Sequence, residues 1–271
     1  MLTSAPETIR IGGDLEVRRL GFGAMRLCGP GIMGWPADRE NALRVLRRAL
    51  ELGVDLIDTA HAYGPEVNEL QIAEALHPYP DGLVIATKGG VVRDESGAWT
   101  RDGRPEAVRE HCDASLRRLR LERIDLYQLH GADRDVPLEE TVTELASLRQ
   151  EGKIRHVGLS NVGEEQLERA RAVVPIASVQ NRYNVADRSS ESVLEACERE
   201  GIAFLPWNPL AVGSLARQGG PLDELARAHD ATPAQVALVW LLRRSPVVCP
   251  IPGTSSLEHL EENMGAPRVE L

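Results

Sequence analysis

The sequence predicts an α/β protein folded as a (β/α)8 barrel of the TIM type, with a β-hairpin at its N-terminus. Short apolar runs alternate with amphipathic runs along the chain, which is typical of a parallel sheet covered by helices. The chain has 271 residues, close to the roughly 250 that such a barrel needs. No linker or low-complexity tract interrupts the pattern. We therefore expect one barrel domain over residues 1–271.

The first elements are a hairpin, a short strand and a helix. The runs Thr8–Ile11 and Leu15–Val17 flank Gly12-Gly13-Asp14, and glycine supplies the positive φ that a tight hairpin turn requires. Leu20–Ala24 is predicted to follow as a short strand. The next helix is predicted between Asp38 and Gly53, because leucines recur there at helical spacing and glycine commonly ends a helix.

The rest of the chain repeats the same alternation. Further apolar strands are predicted at Val54–Asp58, Gly82–Lys88, Ile124–Leu129, His156–Leu159, Ile176–Gln180, Ile202–Pro206 and Val247–Ile251. Helices are predicted at Asn68–Leu76, Pro105–Arg120, Leu138–Gln150, Glu164–Val173, Ser189–Glu200, Leu222–His229 and Pro233–Arg243. A doubly wound open sheet is the alternative that this alternation allows, but a closed eight-stranded barrel fits the number of strands better.

Composition excludes several classes of protein. The formal net charge of −10 argues against a surface that follows nucleic-acid phosphates. No apolar run approaches the ~20 residues that span a bilayer, and Met1–Arg10 lacks the apolar core of a signal peptide. The four cysteines are scattered without a C-x-x-C pair, which indicates reduced thiols and no metal site. We expect a cytoplasmic protein that binds no nucleic acid, membrane or metal.

One segment imitates a nucleotide-binding motif. Gly29-Pro30-Gly31-Ile32-Met33-Gly34 matches the pattern G-x-G-x-x-G. That pattern binds a pyrophosphate where a helix opens at the glycines, whereas here the helix is predicted to begin only near Asp38. We interpret the segment as the first strand–helix loop of the barrel. Trp35 and Trp99 are candidates for lining the mouth beside it.

Three successive predicted strands end on ionisable residues. These are Asp58, Lys88 and His130, and Tyr63 follows in the loop after the first of them. Barrel strands would bring all of these residues to one mouth, where active sites of this fold lie. Only two of the 31 Lys plus Arg residues are lysine, and lysine, unlike arginine, readily shifts its pKa when buried. The set indicates a catalytic cluster, although a buried Asp–Lys pair alone also fits a structural role.

These residues resemble the catalytic tetrad of the aldo-keto reductases. Asp58-x4-Tyr63-Gly64, Lys88 and His130 have the family's order and spacing. The resemblance covers nearly the whole chain, and further matching segments are the opening hairpin, Leu56–Ala60, Asp125–Tyr127, Val157–Asn161 and Ile251–Ser256. Gly23–Leu27, together with the stretch around residues 251–264, is similar to the bacterial branch that contains pyridoxal reductases.

The resemblance implies an enzyme that reduces a small-molecule aldehyde or ketone to an alcohol with a hydride from NADPH. Tyr63 would act as general acid and Lys88 would activate it. Asp58 would orient Lys88, and His130 would polarise the carbonyl. Free tyrosine has a pKa near 10, and we expect the lysine charge to lower that value. Pyridoxal is the first expected substrate.

Two other functions remain as alternatives. The first is a cofactor-binding regulatory module on the same barrel, with little or no turnover, since some relatives in this family act as channel subunits. The second is an isomerase or lyase that forms a Schiff base at Lys88. We expect the protein to be a monomer or a weak homo-oligomer.

The resemblance also implies cofactor contacts at later strand ends. Ser160, Asn161 and Gln180 would bond the nicotinamide carboxamide, and Trp207 would stack on the nicotinamide ring. The remaining implied contacts are Gly23, Met25, Asn208, Leu210, Gly213, Ser214, Gly253, Thr254, Ser255, Ser256, His259, Glu262 and Asn263. His259 departs from the family pattern, because NADPH-selective members usually carry Arg or Lys there. We expect NADPH, held through the hydroxyls of residues 255 and 256, and NADH is the alternative.

Overall fold

A curled sheet of parallel strands forms the centre of the molecule. A computed structural model describes residues 7–217 and 219–271; residues 1–6, part of the N-terminal segment interpreted above, lie outside the described residues. Within the described ranges the strands are β1 (Thr8–Ile11), β2 (Leu15–Arg18), β3 (Phe22–Gly23), β4 (Leu56–Asp58), β5 (Val84–Gly89), β6 (Val91–Arg93), β7 (Trp99–Arg101), β8 (Ile124–Leu129), β9 (Ile154–Ser160), β10 (Ile176–Gln180) and β11 (Ala203–Phe204).

Helices alternate with these strands as the sequence predicts. They are α1 (Arg39–Glu51), α2 (Val67–Leu76), α3 (Pro105–Leu119), α4 (Leu138–Gln150), α5 (Glu164–Arg171), α6 (Glu191–Glu200), α7 (Asp223–Ala228), α8 (Pro233–Arg244) and α9 (Leu257–Gly265). Short 3-10 helices lie at Ala24–Leu27, Pro30–Ile32, Ala211–Ala216 and Ala266–Arg268. Among the described residues, no helix is long and apolar enough to cross a membrane.

The sheet has the order of a barrel. Seven parallel strands run β3-β4-β5-β8-β9-β10-β11, so neighbours in space are neighbours along the chain once the hairpins are set aside. The predicted N-terminal hairpin is confirmed: β1 and β2 pair antiparallel, with Ile11 opposite Leu15. Ile11, Leu15 and Val17 pack in one cluster with Leu56, Val84 and Leu126 from the starts of barrel strands. The hairpin therefore covers the amino end of the barrel.

The predicted last strand, Val247–Ile251, is corrected by the structure. It forms no regular strand and has one parallel bridge, between Phe204 and Val248. Pro250 lies within the segment and Pro246 and Pro252 flank it, and proline cannot donate to a strand ladder. The apolar pattern predicted a strand, but the backbone forms only part of one because proline N–H groups are missing.

Residues 247–252, which we name the seam, nevertheless close the barrel. On one side the Phe204 N–H donates to the carbonyl oxygen of residue 247 at 2.8 Å. On the other side the N–H groups of Gly21 and Gly23 donate to the carbonyl oxygens of residues 250 and 252 at 3.0 and 3.2 Å. The seam thus joins β11 to the β3 region, and the closed barrel is the correct fold.

The segment at residues 29–34, which imitates a nucleotide-binding motif, forms a loop, as predicted. Its residues Pro30–Ile32 make a single 3-10 turn, and α1 begins at Arg39 with the Asp38 carboxylate capping it through the N–H of Asn41 at 2.8 Å. A hairpin that the sequence reasoning did not predict, β6–β7, follows β5 at the rim. Its strands are only three residues long, too short for a clear alternating pattern.

Candidate active site

The four predicted catalytic residues lie together at the carboxyl end of the barrel. Asp58 is the last residue of β4, and Lys88 is next to last in β5. His130 directly follows β8, and its backbone N–H donates to the carbonyl oxygen of Gly89 at 2.9 Å. Tyr63 lies in the turn after β4. Because β4, β5 and β8 are neighbours in the parallel sheet, their ends form one continuous rim.

Lys88 is fully buried, and each of its three N–H groups has a partner. Its Nζ donates to Oδ1 of Asp58 at 2.6 Å and to the carbonyl oxygen of Thr59 at 2.7 Å. The third contact, at 3.4 Å, is with Oη of Tyr63. An ammonium has three donors and no acceptor, so the first two bonds direct the remaining N–H toward the phenol oxygen. Asp58, Lys88 and Tyr63 therefore form a chain of contacts.

Burial and charge together set the pKa values of this chain. Burial lowers the pKa of Lys88, but Asp58 and Tyr63 outweigh it and the pKa of Lys88 lies above its ordinary value. Burial raises the pKa of Tyr63, the Lys88 charge lowers it, and the net result lies above its ordinary value. Lys88 does lower the pKa of the phenol, as expected, but burial of the phenol outweighs this effect. Tyr63 keeps its proton at neutral pH.

His130 is a neutral imidazole. Burial lowers its pKa most, and the charges of Lys88 and Arg101 lower it further, so the value lies well below 6.5. Its Nδ1 is buried and has no hydrogen-bond partner among the described residues. Because a buried N–H without an acceptor is rarer in proteins than an unsatisfied acceptor, we assign the ring proton to Nε2. The ring lies edge to face with Tyr63, at 5.6 Å between centroids.

A cavity of about 900 Å³ opens above these residues, within the range of roughly 300 to 1,000 Å³ typical of cofactor sites. All of the predicted catalytic and cofactor residues line it except Lys88, Ser214 and Ser256. Lys88 lies beneath its floor, and Ser214 is exposed to solvent. The Ser256 hydroxyl accepts the N–H of His259 at 3.3 Å and caps α9. The cofactor contacts of Ser214 and Ser256 stay predictions.

The ends of β9, β10 and β11 are linked across the cavity floor. Asn161, which has a positive φ of 57°, donates through Nδ2 to the carbonyl oxygen of His130 at 3.1 Å. Its Oδ1 accepts the indole N–H of Trp207 at 2.9 Å. Gln180 donates through Nε2 to Oδ2 of Asp58 at 2.8 Å, and its side-chain oxygen has no hydrogen-bond partner within the described part of the chain. That oxygen is available to a ligand.

The opposite end of the cavity lies at the start of α9. The Thr254 hydroxyl accepts the N–H of Ser256 at 3.0 Å, and the carbonyl oxygen of Ser255 accepts Nδ2 of Asn41 from α1 at 2.8 Å. His259 is exposed on the first turn of the helix. Backbone N–H groups at a helix start attract anions, so this end has the chemistry for a phosphate.

Several residues of the site were missed by sequence reasoning. Arg26 and Arg217 line the cavity, are exposed, and have no carboxylate partner in the described ranges. The sequence offered little indication of these two residues, because arginine is the common positively charged residue of this chain. Of the two candidate tryptophans, Trp99 lines the cavity and Trp35 does not. Gln128, inside the barrel, contacts Asp58 and carried no sequence signal, because its direction depends on strand register.

Comparisons with known proteins agree with this geometry. The profile of the Aldo/keto reductase family matches residues 19–271. An uncharacterized oxidoreductase of Schizosaccharomyces pombe is 48% identical over 97% of this chain and 86% of its own. Pyridoxine 4-dehydrogenase of Escherichia coli is 44% identical over 96% of this chain and 92% of its own.

Solved structures share the architecture. A crystal structure of an aldo/keto reductase from Klebsiella pneumoniae, in complex with NADP and acetate, superposes with a TM-score of 0.83 at 30% identity. The match covers 98% of this chain and 91% of that one. The resemblance read from the tetrad is confirmed by a match over the barrel as a whole. The chain belongs to the aldo/keto reductase family.

Proposed function

We propose that this protein reduces an aldehyde or ketone to an alcohol with NADPH, and that Tyr63 is the general acid. The observation that carries the proposal is the buried chain from Asp58 through Lys88 to Tyr63, which ends at the floor of the cavity. A protonated phenol beside a neutral His130 is suited to a carbonyl oxygen that gains negative charge.

The residues present fit a dinucleotide cofactor. The unpartnered side-chain oxygen of Gln180 can accept an amide N–H, and Trp207 offers an aromatic face on the same wall. Arg26 and Arg217 provide positive charge along the cavity, and the start of α9 offers backbone N–H groups for a phosphate. NADPH, when bound, supplies the hydride that the carbonyl carbon accepts.

The chain's own residues handle the proton. The Tyr63 O–H transfers its proton to the substrate oxygen, so the new alcohol gains one hydride on carbon and one proton on oxygen. Lys88 stabilises the tyrosinate that remains, through the N–H that points at Oη. His130 donates its Nε2 proton in a hydrogen bond to the same substrate oxygen and orients it.

The proposed substrate is pyridoxal or another planar aromatic aldehyde. The E. coli relative at 44% identity is a pyridoxine 4-dehydrogenase. The ring of Trp99 lies at the cavity, 6.2 Å from Tyr63 and 6.1 Å from His130 between centroids, and aromatic rings favour aromatic partners. NADPH is preferred over NADH in this proposal because the solved relative binds NADP, and the exposed Arg26 and Arg217 remain available to its phosphates.

Steady-state assays with both NADPH and NADH against pyridoxal, aromatic aldehydes and simple ketones test the proposal. We expect turnover with NADPH, and the Tyr63→Phe variant should lose at least about 100-fold in kcat, as loss of a general acid implies. Its dissociation constant for NADPH should stay within about twofold of wild type. Cofactor binding without turnover of any carbonyl would contradict the proposal and favour a regulatory module.

A further inference from the structure

The carboxylate of Asp58 is held by more than the lysine. Its Oδ1 accepts from Lys88, while its Oδ2 accepts two amide N–H groups from two other strands: Gln180 at 2.8 Å and Gln128 at 3.2 Å. Both glutamines are buried, and Gln128 is fully buried. An ionised carboxylate out of water needs such donors, because leaving its oxygen unbonded costs free energy.

The two glutamines differ in what else they can touch. Gln180 lines the cavity and has an oxygen free for a ligand, whereas Gln128 is absent from the cavity wall. The only other side-chain hydrogen bond that Gln128 makes within the described ranges is with Ser178, whose hydroxyl donates to Oε1 at 3.4 Å. The side chain of Gln128 therefore reaches the cavity through its hydrogen bond to Asp58.

Glycine at position 158 on β9 leaves room for this contact. A Cβ added to Gly158 would lie 2.8 Å from Cγ of Gln128 and closer still to the hydroxyl of Ser178. Real Cβ atoms essentially never approach other atoms so closely, so any larger residue would displace the glutamine. The side chains of Ser178 and Gln128 therefore pack against the backbone of Gly158 in the barrel interior.

We infer that Gln128 is a positioning residue that holds the Asp58 carboxylate in place, so that Lys88 directs its third N–H at Tyr63. The inference rests on the proposed function. Without the Gln128 N–H, the Asp58 carboxylate loses one of the two amide donors on its Oδ2 and is held less firmly. Lys88 donates to that carboxylate, so a less firmly held Asp58 directs the lysine less well toward Tyr63.

The test compares Gln128→Leu with Ser178→Ala in the full chain. Gln128→Leu keeps similar bulk and removes the donor, while Ser178→Ala removes only the second neighbour of the glutamine. We expect Gln128→Leu to lower kcat about 10- to 100-fold, the range that a lost hydrogen bond to a charged group implies. Ser178→Ala should change kcat less than about threefold, and neither should change the dissociation constant for NADPH beyond about twofold.

A second variant guards against simple misfolding. Gln128→Met has the length of glutamine but no N–H donor, so it should lose kcat to the same extent as Gln128→Leu. An unchanged dissociation constant for NADPH in both variants would show that the barrel is folded. A wild-type kcat in either variant would overturn the inference while leaving the proposed function intact. A wild-type protein that binds NADPH yet reduces no carbonyl would overturn both.

Discussion

Lys88 is buried, and its side chain holds three neighbouring groups in place. Lys88 satisfies the Asp58 carboxylate, a backbone carbonyl and the Tyr63 phenol at once. The ion pair between Lys88 and Asp58 is almost completely removed from water, with side-chain exposures of 0% and 4%. Breaking a buried ion pair from one side leaves an uncompensated charge, which typically costs about 3–5 kcal/mol.

The Lys88→Met variant should therefore lose about 3–5 kcal/mol of unfolding free energy as well as its activity. Urea unfolding followed by circular dichroism measures the loss. The matched control is the double variant with Asp58→Asn, which removes the stranded charge and should recover part of the stability while staying inactive. A Lys88→Met protein as stable as wild type would mean that the pair carries little free energy.

At the residue scale the sequence predicts that the four candidate catalytic residues lie together, and in the structure they do. Asp58, Lys88 and His130 terminate apolar strands, and strand ends of a parallel barrel meet by topology alone. The direction of the Tyr63 pKa was not predictable in the same way. It depends on how completely the phenol is buried, and burial is a property of the whole fold. The contact of Gln128 with Asp58 could not be predicted for a related reason, since a polar residue within a strand points inward or outward according to register.

At the scale of elements, the hairpin β6–β7 positions Trp99. The guanidinium of Arg93 lies 3.9 Å from the centre of the Trp99 ring, and it also donates to the carbonyl oxygens of Gly31 and Ile32 at 3.0 and 3.2 Å. The glycine-rich loop that imitates a nucleotide motif therefore serves as an anchor for this hairpin. The indole is 47% exposed and stands over the tetrad.

Replacing Trp99 by alanine should raise KM for aromatic aldehydes by about three- to tenfold, the value of one aromatic contact, with a smaller effect on aliphatic aldehydes. The control is Trp35→Ala. That ring is also exposed and also lies 3.9 Å from an arginine, Arg39, yet it does not line the cavity. Equal KM changes in the two variants would show that Trp99 does not contact substrate. Initial-rate assays over a substrate series decide.

The sequence predicts the start of a helix well where a proline marks its first turn. Pro105 and Pro233 open α3 and α8 where proline is tolerated at the first helical turn, and both starts were predicted. The last strand was mispredicted because apolar patterning does not register that proline lacks an N–H. The hairpin β6–β7 was missed because its strands are only three residues long.

For the whole molecule, buried neutral histidines govern the response to acid. Burial lowers the pKa of His61 to about 3, and it also lowers the values of His111 and His130. The unfolded chain binds these protons below pH 6.5, whereas the native protein binds each of them only at lower pH. Stability is therefore complete above pH 6.5 and falls as the pH drops, by up to about 1.4 kcal/mol per unit for each group.

Urea unfolding between pH 7.5 and 5 should show this slope. The His61→Gln variant should have a shallower slope by up to about 1.4 kcal/mol per pH unit, whereas His259→Gln, at an exposed position on α9, should match the wild type. His61 is the position to test because its ring lies tilted against His111, at 4.2 Å between centroids, and its Nδ1 contacts Arg118. An unchanged slope in His61→Gln would contradict the pKa assignment.

The seam has a consequence for the lifetime of the protein in a cell. Gly23 lies on one side of that junction and residues 251–253 on the other, and all of them face the cavity. A dinucleotide lying there would bridge both sides and bind only the closed barrel. Ligand at 100 times its dissociation constant adds about 2.7 kcal/mol to unfolding, and proteases attack transiently opened chains. The total supply of dinucleotide, whether oxidised or reduced, would then set how quickly the protein is degraded.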